Sequence, residues 1–266
     1  MRKLILPICA LLTANFLQAD FIEKKVIYKD GSTEYSGVLI YDEDLEGEVP
    51  GILMVPNWMG VTDNAVKKAK MIADDEYVVF IADMYGSDVR PKDAGEAVAA
   101  AGKVRGDRAL MRSRAQLSLD SFKRLASEAP LDTDHIAAIG FCFGGGTVLE
   151  FARTGVDLDA VVSFHGDLLS PTLEADAAAT VAKVLVLHGA ADPYVPQSDV
   201  QEFVTAMLNT DADWQLVQFS GTVHSFTNPD ANTIGQSDYN ELSADRAFEM
   251  MDELFEELWD DLGEED

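Results

Sequence analysis

Ile139-Gly140-Phe141-Cys142-Phe143-Gly144-Gly145-Gly146 is the stretch of this 266-residue chain whose reading decides the fold. The apolar run His135 to Ile139 reads as a short buried strand, and Thr147 to Ala152 as an apolar helical segment. Between them Gly-x-Cys-x-Gly forms a strand–turn–helix elbow. Such a turn forces its central residue into a strained backbone conformation and needs small neighbours, because strand and helix approach closely. Cys142 is thereby presented at the carboxyl end of a sheet, beside a helix N-terminus whose partial positive charge favours an anion.

Outward from the elbow, apolar strands alternate with amphipathic helices. Upstream, Lys25–Lys29, the turn Asp30-Gly31 and Thr33–Tyr41 read as an antiparallel hairpin at a sheet edge. Val49–Pro56 is a near-continuous apolar run, as expected of a strand covered on both faces. A helix over Thr62–Asp74, a strand over Tyr77–Ala82 and helices over Asp93–Lys103 and Arg105–Ser127 complete the first half. Downstream come strands at Ala160–Phe164, Val184–Leu187 and Gln215–Phe219, with a helix at Pro196–Leu208 before the last of them. A long loop runs from Gly221 to about Leu242, and a final helix covers Ala244–Leu262. This alternation predicts an α/β fold: a doubly wound, mainly parallel sheet with an antiparallel N-terminal edge.

In such sheets reactive groups collect after the carboxyl ends of strands. A cysteine nucleophile needs a base, and the base needs an orienting acid, in the chain order nucleophile, acid, histidine. Cys142, Asp192 and His224 follow that order, each just after a strand. His135 falls at the wrong end of the sheet, while His165 and His188 precede the acid and read as strand-end histidines bonded to nearby loops. Asp167 is the runner-up acid. The backbone N–H of Phe143 is one expected oxyanion donor, and that of Trp58, in the loop after Val49–Pro56, is the second. No histidine pair or carboxylate cluster has metal-ligand spacing and no phosphate-cradling loop occurs, so the sequence gives no metal or cofactor.

The chain is 47% hydrophobic and 25% charged, which suits one globular domain, residues 20–266, behind a leader. Asp and Glu outnumber Lys and Arg 47 to 20, a formal charge of −27 that argues against nucleic acid or an anionic membrane as partner. Residues 1–19 read as a secretory signal: Arg2-Lys3, an apolar stretch over Leu4–Leu17, then Leu17-Gln18-Ala19 before Asp20. The apolar stretch is shorter than the ~20 residues of a spanning helix, so the expected location is periplasmic or extracellular. Cys9 would leave with the signal, and Cys142 would be the single thiol of the mature chain.

Gly-Phe-Cys-Phe-Gly-Gly around Cys142, His-Gly-Ala-Ala-Asp-Pro around Asp192 and His-Ser-Phe-Thr-Asn-Pro around His224 resemble the dienelactone hydrolase family. Asp83-Met84-Tyr85-Gly86 with Arg90-Pro91, and Trp214-Gln215-Leu216, are similar to segments of its bacterial members, so the likeness runs from about residue 24 to 260. The resemblance implies an α/β-hydrolase fold, a Cys142–His224–Asp192 triad and cofactor-free hydrolysis of small-molecule esters or lactones, with Asn57, Tyr85, Arg90 and Phe226 near the substrate. Asn57 stands where the family carries a glutamate, and Ser87 and Asn228 where it carries carboxylate-binding arginines. Those two replacements lead to an expected preference for neutral substrates. The rival reading is a non-catalytic or redox-sensing protein on the same scaffold, with Cys142 as its sensor thiol. For the leader, the expected outcome is that Edman or mass-spectrometric analysis of protein from the native host finds Asp20 at the N-terminus. Loss of Arg2 and Lys3 would take the formal charge from −27 to −29; an intact Met1 on the soluble protein would overturn the export reading.

Overall fold

The computed structural model describes residues 20–259, and the segment read as a signal lies outside them. The opening hairpin joins β1 (Phe21–Asp30) to β2 (Thr33–Asp42) in unbroken antiparallel register. Alternation then begins with β3 (Val49–Val55), α1 (Asp63–Ala73), β4 (Val78–Ile81), α2 (Ala94–Arg105) and α3 (Arg108–Lys123). It continues with β5 (Leu131–Phe141), α4 (Phe143–Ala152), β6 (Ala160–Phe164), a short α5 (Leu173–Asp176), β7 (Lys183–Gly189), α6 (Gln197–Met207) and β8 (Trp214–Phe219). A small ladder of β9 (Asn232–Thr233) with β10 (Ser237–Asp238) precedes α7 (Glu241–Trp259).

The larger sheet has the strand order β1-β2-β4-β3-β5-β6-β7-β8. β2 meets β4 antiparallel, and every pairing from β4 onward to β8 is parallel. The predicted α/β sheet with its antiparallel edge is therefore the observed one. Each face carries its own core. On one, Phe80, Val161 and Val186 meet α2, α3, α4 and α6 through Val104, Phe122, Phe151 and Phe203. On the other, Ile52, Ile139 and Leu187 meet α1 and α7 through Ile72, Met251 and Phe255. Burying both faces is what makes the central strands read as continuous apolar runs. Among the described residues no helix is long and apolar enough to cross a membrane.

Two of the boundaries that differ from the sequence reading concern the elbow. β5 begins at Leu131 rather than His135: Leu131 and Asp132 already pair with Val49 and Pro50 of β3, and the register then shifts so that Ile136 meets Gly51. α4 begins at Phe143, so the three glycines that look like a turn are helical. Helix propensity disfavours them there, at roughly 1 kcal/mol per glycine relative to alanine. Contact overrides that preference: a Cβ on Gly144 would overlap the Val55 carbonyl oxygen, and one on Gly140 the Gly144 carbonyl. The fully buried Glu150 holds the helix from its other side, accepting from Arg112 Nε at 3.0 Å and Arg153 Nη1 at 3.1 Å.

The two helical environments of glycine give a test of opposite signs. Gly144→Ala should cost about 3 kcal/mol or more, since backbone rather than flexible side chain must yield, lowering Tm by roughly 10 °C in a chain of this size. Gly102→Ala, in α2 with open space around the missing Cβ, should instead gain up to about 1 kcal/mol. Differential scanning calorimetry checks both.

Candidate active site

The elbow residue has the strained torsions φ 55° and ψ −115°, a region that a non-glycine residue occupies only when its surroundings hold it there. What holds Cys142 is its own amide. That N–H is shared between Phe164 O at 3.0 Å and His165 Nδ1 at 3.1 Å. Since Nδ1 accepts, the ring proton sits on Nε2, which donates to Thr227 Oγ1 at 2.9 Å. Burial, then the nearby His224 and Lys68 charges, push His165 well below the usual histidine range and keep it neutral. His165 is itself at φ 42°, so β5 and β6 both end in a strained residue at this point.

Asp192 and His224 arrive from neighbouring strands. A turn after β7, closed by Asp192 N–H donating to Gly189 O at 3.0 Å, buries the carboxylate. Its Oδ1 accepts from the Tyr194 and Val195 amides at 2.8 and 3.2 Å, leaving Oδ2 to accept from His224 Nδ1 at 2.7 Å. That bond fixes the tautomer and turns Nε2 of His224 toward the free thiol of Cys142, which is part-exposed. Burial alone would lower His224; the Asp192 hydrogen bond and the adjoining Cys142 outweigh it and raise the imidazole to about 10. The β9–β10 ladder grips the same residue through its main chain. His224 N–H donates to Gln236 O at 3.2 Å, and Asp238 N–H donates to His224 O at 3.0 Å.

Opposite, the loop after β3 is braced internally. Asn57 Oδ1 accepts from the Met59 amide at 3.0 Å and Asn57 O from the Gly60 amide at 2.9 Å. Asn57 thus bonds its own turn, as turn asparagines commonly do. Tyr85 Oη donates to Trp58 O at 2.9 Å and its ring packs on Phe143, tying the two expected oxyanion donors to one buried side chain. The Phe143 N–H opens α4 and, like the first amides of any helix, has no intrahelical acceptor. A cavity of about 460 Å³ extends from Asn57, Trp58 and Ser225 down between α1 and α7, past His165 to Lys68.

Two substrate-side expectations are corrected. Arg90 does not reach this cavity: its guanidinium is held by Asp83 Oδ2 at 2.9 Å, Gly86 O at 2.7 Å and Ser36 O at 3.2 Å. Phe226 is fully buried against His165 and Phe219, where it supports the histidine loop from beneath. The Asp83-Met84-Tyr85-Gly86 motif is accounted for by Asp83, which also accepts from the Ser36, Tyr85 and Gly86 amides and so fastens this loop to β2. His165, read from the sequence as a strand-end histidine bonded to a nearby loop, does bond Thr227 of the histidine loop, and it also lines the cavity. Sequence reasoning passed over Lys68, which lines the cavity too and falls on the stripe of Ala65, Ala69 and Ile72, the buried face of α1. Among the described residues no group of three or more His, Cys, Asp or Glu could hold a metal.

Comparison with known proteins places this geometry. The model of the dienelactone hydrolase family matches residues 36–259. A Salmonella typhimurium protein provisionally named carboxymethylenebutenolidase is 25% identical over 218 residues, covering 79% of this chain and 78% of its own. Among solved structures, a dienelactone hydrolase-like promiscuous phosphotriesterase from metagenomic libraries is 38% identical with a TM-score of 0.83, covering 91% of this chain and 99% of its own. The structure of m3DLH is 35% identical with a TM-score of 0.81, over 90% and 98% of the two chains. By sequence and by fold the chain belongs to the dienelactone hydrolase family, hydrolases that act on ester and lactone bonds.

Proposed function

We propose that Cys142, His224 and Asp192 form the catalytic triad of a cysteine-type hydrolase of carboxylic esters or lactones. The observation that carries the reading is the 2.7 Å bond from His224 Nδ1 to the buried Asp192 carboxylate, beside a thiol held on a strained elbow. In this reading Cys142 Sγ attacks the ester carbonyl carbon, and charge developing on the carbonyl oxygen is met by the Phe143 and Trp58 N–H groups. As the tetrahedral intermediate collapses, the His224 imidazolium donates its proton to the leaving alkoxide, giving the alcohol and a thioester. Water, deprotonated by His224, then hydrolyses the thioester to the acid and expels the Cys142 thiolate, leaving it beside the re-formed imidazolium. The Asp192 carboxylate orients the ring and stabilises its positive form throughout. A sensor thiol would need no such orienting acid, which argues for the hydrolase over the redox alternative. We propose export as well, on the basic and apolar pattern of residues 1–19.

Cys142→Ala should lower kcat/KM on p-nitrophenyl butyrate by at least about 10³-fold with the fold intact by circular dichroism. Wild-type rates from Cys142→Ala would overturn the assignment. The raised His224 adds a pH signature. The imidazolium is retained through neutral pH and lost as pH rises through about 10, so the alkaline limb of kcat/KM should lie near that value. Asp192→Asn removes the bond and should draw the limb down toward the ordinary histidine range, ~6.5. Pre-steady-state rates across pH 5–11 measure both.

A further inference from the structure

Protonation of the leaving group fixes where the alcohol half of an ester must lie. His224 Nδ1 is taken by Asp192 Oδ2 at 2.7 Å, so the proton for the departing oxygen comes from Nε2, the atom turned toward Cys142. That oxygen has to approach Nε2 to about 3 Å, and whatever it carries then runs beside the imidazole. Two rings stand edge-to-face with this imidazole, His165 with centroids 5.1 Å apart and Tyr194 at 5.2 Å. Their exposures differ. His165 is 2% exposed and both of its ring nitrogens are engaged, whereas Tyr194 is 56% exposed and presents its surface to solvent.

Three contacts hold Tyr194 in place. Its amide donates to Asp192 Oδ1 at 2.8 Å, its ring meets that of His224 at 75°, and its hydroxyl donates to Gln236 Oε1 at 3.3 Å. Gln236 lies between β9 and β10, and its carbonyl accepts from the His224 amide. The tyrosine is thus joined at one end to the triad acid and at the other to the hairpin that seats the triad base. A ring ordered in this way loses little further freedom when a second ring packs on it, and that loss is a main cost of a weak contact. Tyr194 also stands outside the cavity between α1 and α7, whose lining here is Trp58 and Ser225. An open ring face recognises a partner by its π surface rather than by its volume.

We propose that Tyr194 is the platform for the alcohol half of the substrate, so that esters of aromatic alcohols are preferred to those of saturated alcohols of the same size. This rests on the ester-hydrolase reading and names its leaving-group class. As the tetrahedral intermediate collapses, the ester C–O bond breaks and the alcohol oxygen takes the Nε2 proton, while the aryl group stays against Tyr194. Aromatic pairs favour offset or edge-to-face packing with centroids about 4.5–7 Å apart. A ring placed on Tyr194 at that spacing lies beside His224, where the departing oxygen must be.

The test uses three esters of one acyl group: benzyl, cyclohexylmethyl and methyl butanoate. The first two alcohols differ little in size or basicity, so their ratio reads ring contact rather than burial or leaving-group strength. Wild-type kcat/KM should favour benzyl over cyclohexylmethyl butanoate by about 3-fold or more, the size of an aromatic pair. Tyr194→Ala should collapse that ratio toward one, and Tyr194→Phe, which lacks the bond to Gln236, should keep most of it. All three esters leave the same butanoyl thioester. Within each enzyme the difference should therefore appear in the pre-steady-state release of alcohol and not in the deacylation that follows. Saturation-transfer NMR of benzyl butanoate with Cys142→Ala reads the platform without turnover: ring-proton signals are expected, and adding Tyr194→Ala should remove most of them. A loss shared equally by the three esters would make Tyr194 a support for His224 and overturn the proposal, as would ring signals indifferent to Tyr194→Ala, while the hydrolase reading stands. Tyr194-dependent ring signals with no alcohol released by wild type from any of the three would sink the hydrolase reading and leave the platform.

Discussion

Helix α4 starts directly above β3 and β5 because Gly140 and Gly144 leave no side chain between them, and the site depends on that approach. A helix that close can begin only one residue after its strand, so the connecting residue must reverse the chain alone. Cys142 does so at φ 55°, and its amide, turned away from the helix, is secured by Phe164 O and His165 Nδ1. The Phe143 amide, first in α4, has no intrahelical acceptor. The strain is local, of order 1–3 kcal/mol, and is offset by the two cores that clamp the sheet from both sides.

Electrostatics inside the site run against the outer surface. The chain carries a formal charge of −27, yet the buried groups about the cavity are arranged around positive charge. His224 is raised by a carboxylate and a thiol, His165 is kept neutral partly by its cationic neighbours, and Lys68 is balanced only by hydroxyl, carbonyl and rings. Burial opposes charge at each of these places, and the outcome differs with the partner. Where a carboxylate is 2.7 Å away the imidazole stays charged; where only a threonine is near, the ammonium weakens.

The alternation of apolar strands with helices, and the order Cys142, Asp192, His224, were enough to read the sheet and to name the residues that the structure brings together. Those are features that chain connectivity dictates. The start of α4 escaped that reading because propensity speaks for single helices, whereas three adjacent glycines are explained only by what lies across from them. Arg90 and Phe226 were assigned to the substrate by their nearness to motifs, but sequence distance says nothing about direction, and one side chain turns to Asp83 while the other enters the core. The long loop concealed the β9–β10 ladder, since two-residue strands are too short to show a period. Lys68 was visible as a polar residue on the apolar stripe of α1, a conflict between local pattern and burial.

The β9–β10 hairpin touches His224 through main-chain atoms only. Such bonds are blind to side-chain identity, so the tip at Ile234 and Gly235, with Ile234 almost wholly in solvent, is unconstrained by the histidine it helps to seat. Ser237 and Tyr239, just beyond it, face the cavity. The hairpin tip can therefore change length or chemistry without altering the main-chain bonds that seat His224.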